Sequence, residues 1–225
     1  MIRIAFLSIT ILTAVALSFP LNVNKDFGIN ISVEKDSVLS SKDEEFFKDL
    51  PLKLLNPTSL LVDLDSDEND ELFIVDSDIS LGIRVYKFYI CKKYNDGFIV
   101  VDSSKSGVIK PLVYYDEEFK KNLILIGYSE FDSLNSVCNP NNIYSPINIL
   151  TFNGETAYSI NEELYDIFFD TNDILLNTLN SLPYKLSDPC EDTKENLPLI
   201  YSIYINYINA GEYSLAENFL RIYYK

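Results

Sequence analysis

The chain has 225 residues, with 34 acidic side chains against 18 lysines and arginines and no histidine, a net charge of −16 at neutral pH. Such an acidic surface repels phosphate backbones and anionic membranes, and no basic stripe offsets it, so nucleic-acid partners are excluded. The lack of histidine excludes Ser-His-Asp and Cys-His nucleophile systems, HExxH zinc sites and any imidazole base, while 47% hydrophobic and 13% aromatic residues provide for a packed core rather than a disordered acidic tail.

The chain starts Met1-Ile2-Arg3 and continues as an uncharged apolar run from Ile4 to Phe19, with Ala16 and Ser18 as small residues ahead of a cleavage point. This is the layout of an export signal over residues 1–18. The run is about sixteen residues, short of the roughly twenty that span a bilayer, and no later run approaches it, so the mature chain is expected to have no membrane span. Loss of Arg3 takes the net charge from −16 to −17. The expected location is the periplasm, the cell surface or the medium.

Residues 19–35 alternate weakly and fit an edge strand, and 36–59 are mixed and charged. From there to about residue 160 short β runs alternate with turn residues. Strands are expected at 72–75, 83–92, 98–101, 123–128, 147–152 and 156–160. Asn95-Asp96-Gly97 and Asn153-Gly154 supply hairpin turns, because Asn and Gly tolerate positive φ.

Just ahead of the first of these strands the sequence reads Leu61-Val62-Asp63-Leu64-Asp65-Ser66-Asp67-Glu68-Asn69-Asp70-Glu71-Leu72. Oxygen side chains at Asp63, Asp65, Asp67 and Glu71, with the Asn69 carbonyl between them, suit a hard cation that takes six to eight oxygens from one tight loop. An EF-hand needs a glutamate where Ile74 stands and a helix after it, whereas LFIV is a strand. The segment therefore resembles the FG-GAP or VCBS calcium repeat, in which an Asp-rich loop runs directly into a strand of a propeller blade. The resemblance implies Ca2+ as the bound ion, in a mainly structural role, with Asp63, Asp65, Asp67 and Glu71 as side-chain ligands. The family has Gly at the sharp turn where this chain has Glu68, a departure that weakens or distorts the site.

An offset of 51 residues aligns Leu72–Val75 with Leu123–Ile126 and sets Asp116 under Asp65 and Glu118 under Asp67, with Tyr114 and Asn122 in place of Asp63 and Glu71. This suggests a second blade-like unit without a metal. Two blades do not close a propeller, which leaves an open sheet of about six strands or half of an assembly.

From Asn161 the period becomes helical, with Glu162 and Glu163 near the first turn and Leu164, Ile167, Phe168, Leu175 and Leu176 on one face. Pro183 and Pro189 interrupt it, and helices at about 197–209 and 213–224 flank Asn209-Ala210-Gly211-Glu212. This hairpin resembles a single tetratricopeptide-type unit through Tyr204, Gly211, Tyr213 and Ala216. One unit cannot bury its own face, so the alternative is ordinary packing on the β part or on the preceding helix.

The sequence thus describes an α+β protein: export signal 1–18, antiparallel β-rich region 19–160 and helical region 161–225. Cys91, Cys138 and Cys190 allow one disulfide in three pairings; the loop-like settings of Cys138 and Cys190 favour that pair, with Cys91 buried and free. No CxxC pair, P-loop or GxGxxG occurs. The expected function is non-catalytic: an exported calcium-binding module that presents its own tyrosine- and phenylalanine-rich surface to a protein or glycan partner, with core filling as the other reading of those tyrosines. A carboxylate-pair hydrolase of glycosidase type and a small structural or inhibitory protein without metal are the alternatives.

Overall fold

The computed structural model describes residues 50–134, 144–181 and 192–223. The export segment, the edge strand expected within 19–35, and both Cys138 and Cys190 lie outside them. Among the described residues eight strands form two antiparallel four-stranded meanders. The first sheet holds β1 (Thr58–Val62), β2 (Glu71–Ser80), β3 (Ile83–Tyr94) and β4 (Gly97–Gly107), and the second holds β5 (Leu112–Asp116), β6 (Lys121–Gly127), β7 (Ile147–Phe152) and β8 (Ala157–Ser159). A 3-10 turn at Asn161–Leu164 then leads into α1 (Tyr165–Ser181), α2 (Asp192–Asn209) and α3 (Tyr213–Tyr223).

The fold is α+β as expected, with eight strands in place of six. The two additional strands, β1 (TSLLV) and β5 (LVYYD), are short edge strands whose brief apolar runs do not alternate with polar residues, and their side chains are mostly part-buried or exposed. Both sheets have the same order, and in both an acidic turn joins the first strand to the second.

Period-two alternation sends each central strand into two cores. On β2, Phe73 and Val75 face the second sheet, where they meet Phe88 and Ile90 of β3, Ile124 and Ile126 of β6, and Leu150 and Phe152 of β7. Leu72 and Ile74 face the other way with Cys91, under Leu50, Leu52 and Leu54 of the segment before β1. On β6 the opposite set, Leu123 and Leu125, joins Ile147 and Ile149 of β7 against Leu164, Ile167 and Phe168. The layers run leucine strap, first sheet, second sheet, helices.

Buried polar groups fix these layers. Asp76 on β2 is fully buried; its Oδ1 accepts the backbone N–H groups of Leu55 (2.9 Å) and Asn56 (2.7 Å), and its Oδ2 lies 3.3 Å from Lys87 Nζ. That carboxylate ties the strap to the sheet. On the other side, β8 pairs with only the last three residues of β7. The start of β7 is served instead by asparagines: Asn206 Oδ1 accepts from Ile147 N–H (3.2 Å), Asn209 Nδ2 donates to Ile147 C=O (2.8 Å), and Asn161 Oδ1 accepts from Ile149 N–H (2.8 Å). Asn206 also donates to Asn172 Oδ1 on α1 (3.1 Å).

The α2–α3 hairpin packs as ordinary core: Leu199, Ile200 and Ile203 of α2 and Phe219 of α3 close on Leu175 and Leu179 of α1. Helix α2 begins at Asp192, earlier than the expected residue 197, and carries Pro198 within it. Among the described residues no helix is long and apolar enough to cross a membrane. Cys91 is buried and free, and burial pushes its thiol up to about 11.

Candidate metal centre

The acidic loop is the β1–β2 connection, held at both ends by strand pairing that sets Val62 against Glu71. Leu64, fully buried in the core between the sheets, anchors its first half. Backbone N–H groups then fold the loop around its own carboxylates. Asp63 accepts from Asp67 N–H (3.2 Å) and Glu68 N–H (3.0 Å), Asp67 accepts from Asn69 N–H (2.8 Å), and Glu71 Oε2 accepts from Leu64 N–H (2.8 Å). Such side-chain-to-backbone closures are what Asp and Asn do in tight turns.

Glu68 takes φ 70° and Ser66 φ 64°. The sharp turn is therefore made without a glycine, at a strain cost of about 1 kcal/mol or more per residue.

Of the expected ligands, the structure brings together Asp63, Asp65 and Glu71, with one oxygen from each within 4.8 Å of the others. Asp67 sits at the edge, its side chain 46% exposed. The Asn69 side chain turns to Asp67, donating to its carbonyl (3.2 Å) and its Oδ1 (3.1 Å).

The loop's neighbours come from both sheets. Asn122 of β6 donates its amide to the Asp63 carbonyl (2.8 Å). The β7–β8 turn presses so closely that a Cβ on Gly154 would meet Asp65 Oδ2 at 2.8 Å and Lys92 Nζ at 3.2 Å. Gly154, at φ 91°, meets a steric need as well as a conformational one.

Lys92 is the residue that sequence reasoning missed. It lies on β3, one residue beyond the Leu72–Cys91 pair and so beside Glu71. Its ammonium is 2.7 Å from Asp65 Oδ2, 3.6 Å from Glu71 Oε1 and 3.9 Å from Asp67 Oδ2, and it stands 5.6 Å from the Phe152 ring centroid. The signal was the alternation of β3, on which Phe88 and Ile90 face inward and Lys92 follows them.

The electrostatics divide the carboxylates. Burial pushes the Glu71 carboxyl up, only partly offset by the Leu64 N–H bond, while hydrogen bonds from Asn69 hold Asp67 down. The Asp65 hydrogen bond raises Lys92. The Asp65 side chain is 9% exposed, and its Oδ1 has no hydrogen-bond partner among the described residues. A half-buried cluster of three carboxylates with spare lone pairs suits a hard cation.

Above the cluster lies a groove of about 1230 Å³, lined by the loop, by Leu60 and Leu61 of β1, and by Lys92, Lys93 and Phe98. A carboxyl pair with opposed shifts beside a groove is one requirement of acid–base hydrolysis. Glu71, however, is 2% exposed, with one oxygen held by Leu64 N–H and the other facing Lys92. That arrangement suits a cation better than a substrate.

No protein-family model matches the chain, and comparison with curated proteins and with solved structures likewise finds no match.

Proposed function

We propose that this is an exported, non-catalytic calcium-binding protein whose metal loop fastens two blade-like sheets and supports a groove for a protein or glycan partner. One observation carries the reading: Asp63, Asp65 and Glu71 converge within 4.8 Å where the two sheets meet. Calcium–oxygen bonds of 2.3–2.6 Å put two ligands on opposite sides of one ion about 4.6–5.2 Å apart, so one ion can reach all three carboxylates. Asp67, beside them, would give the fourth side chain. The ion's part is structural, holding the β1–β2 loop in the shape in which the Asp63 carbonyl receives the Asn122 amide of β6.

Export is supported by the pattern of residues 1–18. The partner surface is supported by part-exposed apolar residues at the groove, Leu60 and Leu61 among them.

The test is the thermal midpoint of the mature chain in EDTA and in millimolar calcium, repeated with Asp65→Ala. An ion present at about 100 times its Kd adds roughly 2.7 kcal/mol to the native state. A rise that Asp65→Ala abolishes is the expected result. An identical midpoint in both buffers would refute the reading.

A further inference from the structure

We propose that Lys92 is a built-in cation of the acidic loop, which calcium must displace and which leaves the cluster for the groove when the ion binds. The inference rests on the calcium reading above and adds to it a competitor encoded in the chain itself.

Lys92 Nζ and a calcium ion would need the same space. The ammonium lies 2.7 Å from Asp65 Oδ2 and 3.6 Å from Glu71 Oε1, and both side chains belong to the trio whose oxygens fall within the span of one ion. A calcium ligated by those carboxylates would stand within a few ångström of Nζ, where two positive charges repel and both seek the same lone pairs. Occupation is therefore exclusive.

The exit is one-sided. The Gly154 turn and the Phe152 ring close over the ammonium from the second sheet. Lys92 nevertheless lines the groove and keeps 29% of its side chain exposed. Its flexible four-carbon stem can swing the head into that groove without moving β3.

One of the two cations is required. With its side chain only 9% exposed and Oδ1 unpartnered among the described residues, Asp65 would be a buried, uncompensated carboxylate if Lys92 left and nothing replaced it. Lysine thus holds the loop folded without metal, at the expense of calcium affinity. Binding the ion moves one positive charge from the cluster onto the groove wall beside Lys93, so metal occupancy sets the charge that the groove presents to a partner.

The experiment is a calcium titration of wild type and Lys92→Met by calorimetry, with thermal midpoints of both in EDTA. Lys92→Met is expected to bind calcium at least about tenfold more tightly, and to melt below wild type in EDTA but not in saturating calcium. Binding by the variant alone would uphold the competition while removing the calcium function from the native chain. Equal affinities would overturn the competition and leave the calcium reading standing; binding by neither protein would overturn both. Should Lys92→Met not fold without metal, acetylation of Lys92 in the wild type, read by mass spectrometry, decides. A several-fold rise in its labelling with calcium is expected, and an unchanged rate overturns the proposal.

Discussion

The side-chain oxygen of Asn206, on α2, accepts the backbone N–H of Ile147 at 3.2 Å and so takes the place of a strand that β8 is too short to supply. The same asparagine donates to Asn172 on α1, and Asn172 donates to the Ile203 carbonyl (3.1 Å). All of these groups are buried. The helices are therefore docked on the sheet by satisfied polar bonds as well as by the Ile147, Ile149 and Phe168 core. Asn206→Leu keeps a similar volume but orphans the Ile147 N–H and the Asn172 oxygen. Each buried unsatisfied group costs about 1–3 kcal/mol, so a loss of about 2–5 kcal/mol is expected in urea unfolding. Thr178→Ala, on the exposed face of α1, should stay within about 0.5 kcal/mol.

Asp76 makes the corresponding bond at the other end of the layer stack. Its fully buried carboxylate receives Leu55 and Asn56 N–H and faces Lys87. Asp76→Ala frees the strap before β1 and leaves two backbone donors without an acceptor. Hydrogen exchange should show residues 50–56 losing protection while β6 and β7 keep theirs, with a stability loss of about 3 kcal/mol or more. Equal loss of protection in β6 would mean that Asp76 supports the whole β structure and not the strap.

The β2–β3 hairpin turns through Leu81 at φ 52° and Gly82 at φ 80°, and Leu81 is 67% exposed. A leucine in the left-handed region is strained and here buries little in return. Leu81→Asn gives the Asn-Gly pair that such turns prefer. The variant should be about 1 kcal/mol more stable than the parent, measured as a higher denaturant midpoint at unchanged slope. A lower midpoint would show that the leucine is packed more tightly than its exposure implies.

How much of this was legible in the sequence depends on how local each interaction is. The oxygen spacing from Asp63 to Glu71 is local, and the loop folds around it. Strands β2, β3, β6 and β7 are buried on both faces or alternate cleanly, and their apolar runs show it. Strand β4 continues past its apolar start through exposed Ser103, Ser104 and Lys105, which no hydrophobic pattern marks, to a buried Ser106 whose hydroxyl donates to the Ile109 carbonyl (2.6 Å). Lys92, Asn122 and Gly154 reach the loop only through hairpin register and sheet-on-sheet packing, which lie outside any sequence window. Asn206 and Asn161 read as polar positions of helices, and only the short β8 explains their burial.

Asp132 ties the stability of the fold to pH. Burial pushes the Asp132 carboxyl up to about 6 from its usual 3.8, with Glu130 adding to the rise and Lys105 and a Val108 backbone bond opposing it. Its Oδ1 has no hydrogen-bond partner among the described residues. Between those two values the folded chain holds a proton that the unfolded chain releases, so this group's contribution to stability is fully present below about pH 4 and is lost as pH rises through about 6. Asp132→Asn keeps the shape and removes the titration. Its midpoint should match that of wild type near pH 4 and exceed it by a growing margin up to pH 6–7, above which the two curves run parallel. Thermal melts of the pair at half-unit pH steps test this directly. A constant offset across the range would place the Asp132 carboxyl at its ordinary pKa in the folded chain.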